Sequence, residues 1–339
     1  MLDALPKPPY EAADMENAMT DTPPYVRPDV ALFLQFLNAV PGPKFWEVSA
    51  DEARAMTAAM RDVADAPVGE LAHIRDIAIP GPAGTIPARV YDSRTDRGPG
   101  PVMVFYHGGG FVIGDLETHD AVCRTLCHDV AAVVLAVDYR LAPEHPFPAA
   151  VDDVVCVLQW LAAHAKELRA DPSRIALAGD SAGAQLAATA CLRTAGAITP
   201  RALGLIYPVA QHHSEPSASM TENGEGKFLT LGVMQWFIDS YLGGRSELTR
   251  HPDFALLSAP TLATLPPSWV ATMGHDPLRD EGHALAQRIQ QTGVATEHRH
   301  YPDGIHACIH FTAVSPLGGQ VLSDLAQWLR GQVDAQPRG

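Results

Sequence analysis

Several kinds of residue are scarce in this 339-residue chain, and each scarcity excludes something. Cysteine occurs five times, at Cys123, Cys127, Cys156, Cys191 and Cys308, an odd and sparse set. Cys123 and Cys127 share a helix face, but no pair has metal-type spacing, so buried free thiols are expected rather than a disulfide framework or a thiolate metal centre. Cationic side chains are outnumbered, 24 Lys and Arg against 39 Asp and Glu, for a formal charge of −15. A surface of that sign repels phosphates, which argues against nucleic acid or anionic membrane as a main partner and favours a small neutral or apolar ligand. No apolar run reaches the ~20 residues of a membrane-spanning helix. The start, MLDALPKPPYEAADMENAMTDTPP, has acids and prolines where a secretory signal needs a basic end and an apolar core, so a cytoplasmic location is expected. What the chain does have is 47% hydrophobic residues, enough for a substantial core.

From about Leu71 onward, strand-like and helix-like segments alternate. The strand candidates are IRDIAIP, IPARVYD, VMVFY, AVVLAVDY, IALAG, LGLIYP, WVATMG and EHRHYP, and helical patterns such as FPAAVDDVVCVLQWLAAHAKEL and GHALAQRIQQTG separate most of the later ones. That rhythm predicts an α/β fold with a mostly parallel central sheet covered by helices on both faces. Two regions break it. Residues 1–70 carry helical patterns before any strand, and residues 211–259 insert a polar Gly/Ser-rich run and the amphipathic FLTLGVMQWFIDSYL. Insertions of this length are usually functional or packed accessories. The expected division is therefore a core of residues 71–210 and 260–339 under a helical cap drawn from 1–70 and 211–259.

Chemistry enters with GDSAGAQLAATA, Gly179 to Ala190, where a serine stands between two glycines. The apolar RIALAG before it and the helix-forming AQLAATACL after it supply strand, tight turn and helix, the setting of a G-x-S-x-G nucleophile elbow. Neighbours without a Cβ let the backbone bend there while the Ser181 Oγ stays accessible. Alone, the string is also an ordinary turn in an alanine-rich chain. Upstream, VMVFYHGGGFVIGDLETHD places His107, Gly108, Gly109 and Gly110 directly after a strand. Three glycines bring backbone N–H groups close to a ligand, as an oxyanion hole requires, although a flexible loop would read the same way. The two motifs complement one another: the HGGG loop supplies donors, and the elbow supplies the nucleophile and the Ala182 amide.

A serine hydroxyl needs a base and an acid, which follow it in the order Asp or Glu, then His, in this type of hydrolase. WVATMGHDPLRDEG ends an apolar strand and offers Asp276, Asp280 and Glu281. Asp276 comes first, at the edge where a side chain reaches the site, while Asp-Pro also reads as a helix N-cap pair. Asp280 and Glu281 suit the first helical turn without any catalytic task. EHRHYPDGIHACIH offers His298, His300, His306 and His310. His298 and His300 alternate along a strand, and lacking an acid or cysteine at complementary spacing they predict no metal site. His306 follows the PDG turn on a loop at the same edge as Asp276 and is the best-placed base. His212 and His213, in the insertion, read as surface residues.

With these motifs in order, the chain resembles the bacterial hormone-sensitive-lipase-like esterases, the family IV branch of the α/β-hydrolase superfamily that carries a GDSAG motif. The resemblance runs through HGGGFVIGDLETHD, VDYRLAPEHPFPAAVDD, GDSAGAQLA, DPLRDEG and DGIH, nearly the whole chain. It implies an α/β-hydrolase fold with Ser181 as nucleophile, His306 as general base and acid, and Asp276 orienting the histidine. The implied oxyanion hole draws on Ala182 and the HGGG amides, with Gly108 and Gly109 foremost and Gly110 a third candidate. His107 and YRLAPEHPFPAA are implied to brace the loops. One departure stands out: the family has Gly and an aromatic after the histidine, where this chain has Ala307 and Cys308.

The expected activity is carboxylic ester hydrolysis through an acyl-enzyme, on small-molecule esters of short to medium acyl chain, with no metal or organic cofactor. Phe228, Met234, Trp236 and Phe237 are the candidate cap residues for the pocket. Amide, lactone or carbamate hydrolysis would use the same residues. A non-catalytic receptor on this fold is disfavoured, because serine, acid and histidine are all present. A homodimer is expected by analogy.

Overall fold

The alternating segments pair into one eight-stranded sheet. The computed structural model describes residues 25–95 and 98–335, so the first 24 residues of the expected cap segment lie outside the described ones. The strands are β1 (His73–Gly81), β2 (Gly84–Asp92), β3 (Gly100–Tyr106), β4 (Val133–Val137), β5 (Ala170–Asp180), β6 (Ala202–Ile206), β7 (Ser268–His275) and β8 (Thr296–Ile305). Their order in the sheet is β1-β2-β4-β3-β5-β6-β7-β8. The first hairpin is antiparallel and joins β4 antiparallel, while every pairing from β4 through β8 is parallel.

Parallel strands buried on both faces must be apolar throughout, and β3 shows how the two-residue period divides them. Val102, Val104 and Tyr106 face one core, Met103 and Phe105 the other. The first core is closed by α4 (Ala149–His164), α5 (Ala182–Arg193) and α8 (Arg279–Gln291), the second by α3 (Asp120–Val130) and α9 (Pro316–Asp334). All five cysteines are free, and four are buried. Among the described residues no helix is long and apolar enough to cross a membrane.

The two interrupting segments supply the remaining helices: α1 (Pro28–Ala39) and α2 (Ala50–Ala64) before the sheet, α6 (Ala218–Asn223) and α7 (Leu231–Leu242) after β6. Ser49 starts α2 with a capping box, its Oγ accepting the Glu52 amide while the Glu52 carboxylate accepts the Ser49 amide. The two segments meet through aromatic rings: Phe45 lies 5.8 Å from Trp236 and 6.1 Å from Phe237, centroid to centroid. Arg54 of α2 ties this layer to the loops below, donating to the Val112 and Ala142 carbonyls and pairing with Glu144. His212 and His213 do not follow the surface expectation. His212 is buried, its ring centroid 4.1 Å from that of His213 and 6.3 Å from that of Phe254.

Candidate active site

Four strands deliver the candidate residues at their C-terminal ends. Tyr106 closes β3 before the HGGG loop, Asp180 closes β5 before Ser181, His275 closes β7 before Asp276, and Ile305 closes β8 before His306. Register keeps these ends level: Tyr106 is opposite Gly179, Asp180 opposite Ile206, and His275 opposite Ile305. The site is thus a product of parallel pairing rather than of sequence proximity.

Ser181 occupies the sharp turn, with φ 54° and ψ −120°, a conformation that L-residues rarely adopt. The turn is possible because Gly183 sits against β3, where a Cβ would run into the Tyr106 carbonyl oxygen. Gly183→Ala is therefore expected to destabilise the protein by about 3 kcal/mol, read as a lowered midpoint in urea denaturation. His306 Nε2 lies 3.0 Å from Ser181 Oγ, and His306 Nδ1 lies 2.7 Å from Asp276 Oδ2. All three residues are buried. The second Asp276 oxygen accepts the Leu278 amide at 2.8 Å. The Asp-Pro pair does not cap a helix as read from sequence, since α8 starts at Arg279 with Leu278 before it.

The competing residues are occupied elsewhere. His298 Nε2 and His300 Nδ1 both meet Thr272 Oγ1, at 2.9 and 3.0 Å, out on β7 and β8. Asp280 accepts the Ser219 amide and pairs with Arg279. Glu281 is not the exposed first-turn acid that its position suggests. Its Oε1 accepts the Ala210 and Gln211 amides where the insertion leaves β6, and its Oε2, fully enclosed, has no partner among the described residues. Burial pushes this carboxyl up to about 8. A carboxyl raised in the folded state binds a proton that the unfolded chain releases near pH 4.5, so its contribution is complete below that pH and is lost as pH rises through about 8. Glu281→Gln keeps the acceptor and removes the titration. Its melting temperature should match wild type at pH 5 and exceed it at pH 9, by an amount that a free-energy gain on the order of 5 kcal/mol bounds from above.

In the HGGG loop the structure corrects one expectation. The Gly108 amide, offered from sequence as a foremost oxyanion donor, donates instead to Asp180 Oδ1 at 2.8 Å and approaches His119 Nε2 at 3.2 Å. The amides of Gly109 and Gly110 make no hydrogen bond among the described residues, and neither does that of Ala182, the first residue of α5. Positive φ at Gly109 (111°) and Gly110 (59°) gives the loop this form. His107 and the YRLAPEH segment support it from behind. The His107 ring donates from Nδ1 to the Gly108 carbonyl at 2.7 Å and stacks on Tyr139, whose hydroxyl donates to the His107 carbonyl at 2.7 Å.

Sequence reasoning missed Asp180, the variable position of the G-x-S-x-G string. Besides Gly108 it meets His119, and its Oδ2 lies 3.6 Å from His310 Nε2. Burial alone would raise this carboxyl, but His119 and then His310 outweigh burial and hold it far below the usual range. Burial likewise disfavours charge on His310, and the Asp180 carboxylate overcomes it and raises the imidazole.

Ser181, His306, Gly109 and Gly110 open into a cavity of about 540 Å³. Of the four cap residues offered for its wall, Phe228, Met234 and Phe237 line it, but Trp236 does not. On α7, Trp236 falls one residue off the inward face and its ring packs on Phe45 and Phe237. Ala307 also lines the cavity, with φ 63° where a glycine would be unstrained, and buried Cys308 packs on the Met273 sulfur at 3.8 Å instead of reaching the cavity.

This sheet, with a serine on a strained turn between β5 and α5 and a buried His–Asp pair behind it, defines a hydrolase-type α/β architecture. The pattern of the alpha/beta hydrolase fold family matches residues 103–310, and the chain belongs to that family, in the branch of the bacterial hormone-sensitive-lipase-like esterases. It is 41% identical over 278 residues to the carboxylic ester hydrolase LipN of Mycobacterium tuberculosis, covering 79% of this chain and 73% of that one. It is 36% identical over 292 residues to the esterase LipI of the same organism, covering 84% and 89%. Among solved structures, an ester-hydrolase from the metagenome of Lake Arreo superposes with a TM-score of 0.87 at 35% identity, over 92% of this chain and all of that one.

Proposed function

We propose that the protein is a carboxylesterase acting on small esters of short to medium acyl chain through an acyl-enzyme. The observation that carries this reading is the unbroken line Asp276–His306–Ser181 facing free amides at the floor of an apolar cavity. Ser181 Oγ attacks the ester carbonyl carbon as His306 Nε2 takes its proton. The oxyanion that forms is held by the amides of Gly109, Gly110 and Ala182, each worth roughly 3 to 4 kcal/mol of barrier. His306 returns the proton to the departing alcohol. In the second half it takes a proton from water, which attacks the acyl carbon, and passes that proton to Ser181 Oγ as the acid departs. Asp276 holds His306 in the tautomer with its proton on Nδ1 and stabilises the imidazolium.

The segments 25–70 and 211–259 act as the cap, supported by the presence of both in the cavity wall. A cytoplasmic location and a homodimer through an exposed sheet edge complete the reading, the latter on the general frequency of two-fold assemblies. The test is a series of p-nitrophenyl esters from acetate to palmitate. A cavity of about 540 Å³ is expected to give the highest kcat/KM among the shorter chains and a steep fall toward palmitate. Inactivity on every ester would overturn the reading.

A further inference from the structure

We propose that His119, Asp180 and His310 form a binding site for a divalent cation of the zinc type, and that filling it slows hydrolysis. The slowing rests on the esterase reading above; the binding does not. His119 Nε2 is 3.2 Å from Asp180 Oδ1, His310 Nε2 is 3.6 Å from Asp180 Oδ2, and the donor atoms lie within 4.8 Å of one another. The 3.2 and 3.6 Å separations match those of neighbouring ligands of a tetrahedral ion with bonds of about 2.0 to 2.2 Å. Two imidazoles and a carboxylate suit zinc, copper or nickel better than magnesium or calcium, which prefer oxygen donors. All three residues line the cavity, so an ion has an entry path and an open coordination position.

Counting protons leads to the same place. Thr118 Oγ1 lies 3.0 Å from the Asp115 carbonyl, which can only accept, so the hydroxyl proton is used there. Its oxygen then accepts the Nδ1–H of His119 at 3.1 Å. This leaves the His119 Nε2 lone pair 3.2 Å from the Asp180 carboxylate, with the Gly108 amide donating to both, and a cation would take the place of that shared donor. The bond from Nδ1–H to an outer oxygen is the one that metal-binding imidazoles make. Further buried oxygens gather around the same spot: the Tyr207 hydroxyl, beside Asp180, and the unpartnered Asp65 Oδ1, close to His310 at the end of α2. The Asp180 carboxylate supplies negative charge to the cation, with the Asp65 carboxyl close to His310. Coordination would draw Asp180 toward the imidazoles and away from the Gly108 amide, loosening the loop that presents Gly109 and Gly110.

The experiment titrates chelator-treated full-length protein with zinc sulfate by calorimetry and with cobalt chloride by visible absorption, following p-nitrophenyl butyrate hydrolysis in parallel. Expected are one equivalent of zinc bound in the micromolar range or tighter, d–d bands of four-coordinate cobalt, and a saturable fall in rate with the same midpoint. His310→Asn, its fold checked by circular dichroism, should weaken zinc at least ~10-fold. Absence of stoichiometric binding up to millimolar zinc overturns the proposal, as does unchanged binding by His310→Asn, which would move the ion to histidines elsewhere. Should that variant not fold, the wild-type cobalt spectrum decides: octahedral or absent bands overturn the site. Zinc bound at full activity overturns the slowing alone. A protein that hydrolyses no ester fails the esterase reading, while calorimetry still decides the site.

Discussion

Ser181→Ala is expected to lower kcat on p-nitrophenyl butyrate by about 10⁵- to 10⁶-fold, with KM and melting temperature near their wild-type values. The size follows from the geometry. The hydroxyl is the only group in the line Asp276–His306–Ser181 that can form the bond to the acyl carbon, and without it His306 has no proton to take. The residual rate should still exceed that in water, because the Gly109, Gly110 and Ala182 amides remain in place. Stability should hardly change. Alanine has the same Cβ and tolerates φ 54° no worse than serine, and the turn is secured by the Ser181 amide donating to the Ile206 carbonyl at 2.9 Å, a backbone bond that any residue keeps. Parallel steady-state and thermal-melt measurements check both halves. Wild-type turnover in the variant would mean that another residue attacks the ester.

Much of this was legible in the sequence, for reasons that also explain what was not. The central strands β3 to β7 were marked by apolar runs between turn signals, since parallel strands buried on both faces tolerate little else, while the edge strands β1 and β8 showed only a mixed pattern. Ser181 and Asp276 stood out because each comes at the end of such a run, and His306 because it follows the last strand at the same edge. Gly108 was misjudged because an amide's direction depends on Asp180, 72 residues away, and no local pattern carries that contact. Asp180 itself hid in a position that the motif leaves variable. Trp236 shows the limit of helical spacing, which names the apolar stripe of α7 but not which of two adjacent aromatics turns inward. Glu281 reads as a macrodipole acid until the chain after β6 closes over it and makes its carboxylate the acceptor for Ala210 and Gln211. The Ala307–Cys308 departure resolves only in three dimensions, where the first residue bears a left-handed turn and the second fills a gap beside Met273.

Asp276→Asn should cost about 10⁴-fold in kcat with little effect on KM, because the substitution inverts the proton on His306. The inversion follows from the second oxygen. Asp276 Oδ1 accepts the Leu278 amide at 2.8 Å, and an asparagine must keep its carbonyl there to go on doing so. Its NH2 group then faces His306 Nδ1 across the 2.7 Å that the carboxylate now spans. An NH2 can only donate, so Nδ1 must carry the lone pair and Nε2 the proton. That proton points at Ser181 Oγ, and the imidazole can no longer remove one. The shape of the site barely changes, so substrate binding should survive and the loss should appear in kcat. Single-turnover kinetics would place it in the acylation step. If Asp276→Asn retained activity within ten-fold, either another carboxylate would orient His306 or none would be needed. The neighbouring acids are poorly placed for that: Asp280 is held by the Ser219 amide and Arg279, and Glu281 is spent on Ala210 and Gln211. Retention would therefore mean that His306 needs no carboxylate at all, and that the free amides carry more of the rate than the Asp276–His306 pair.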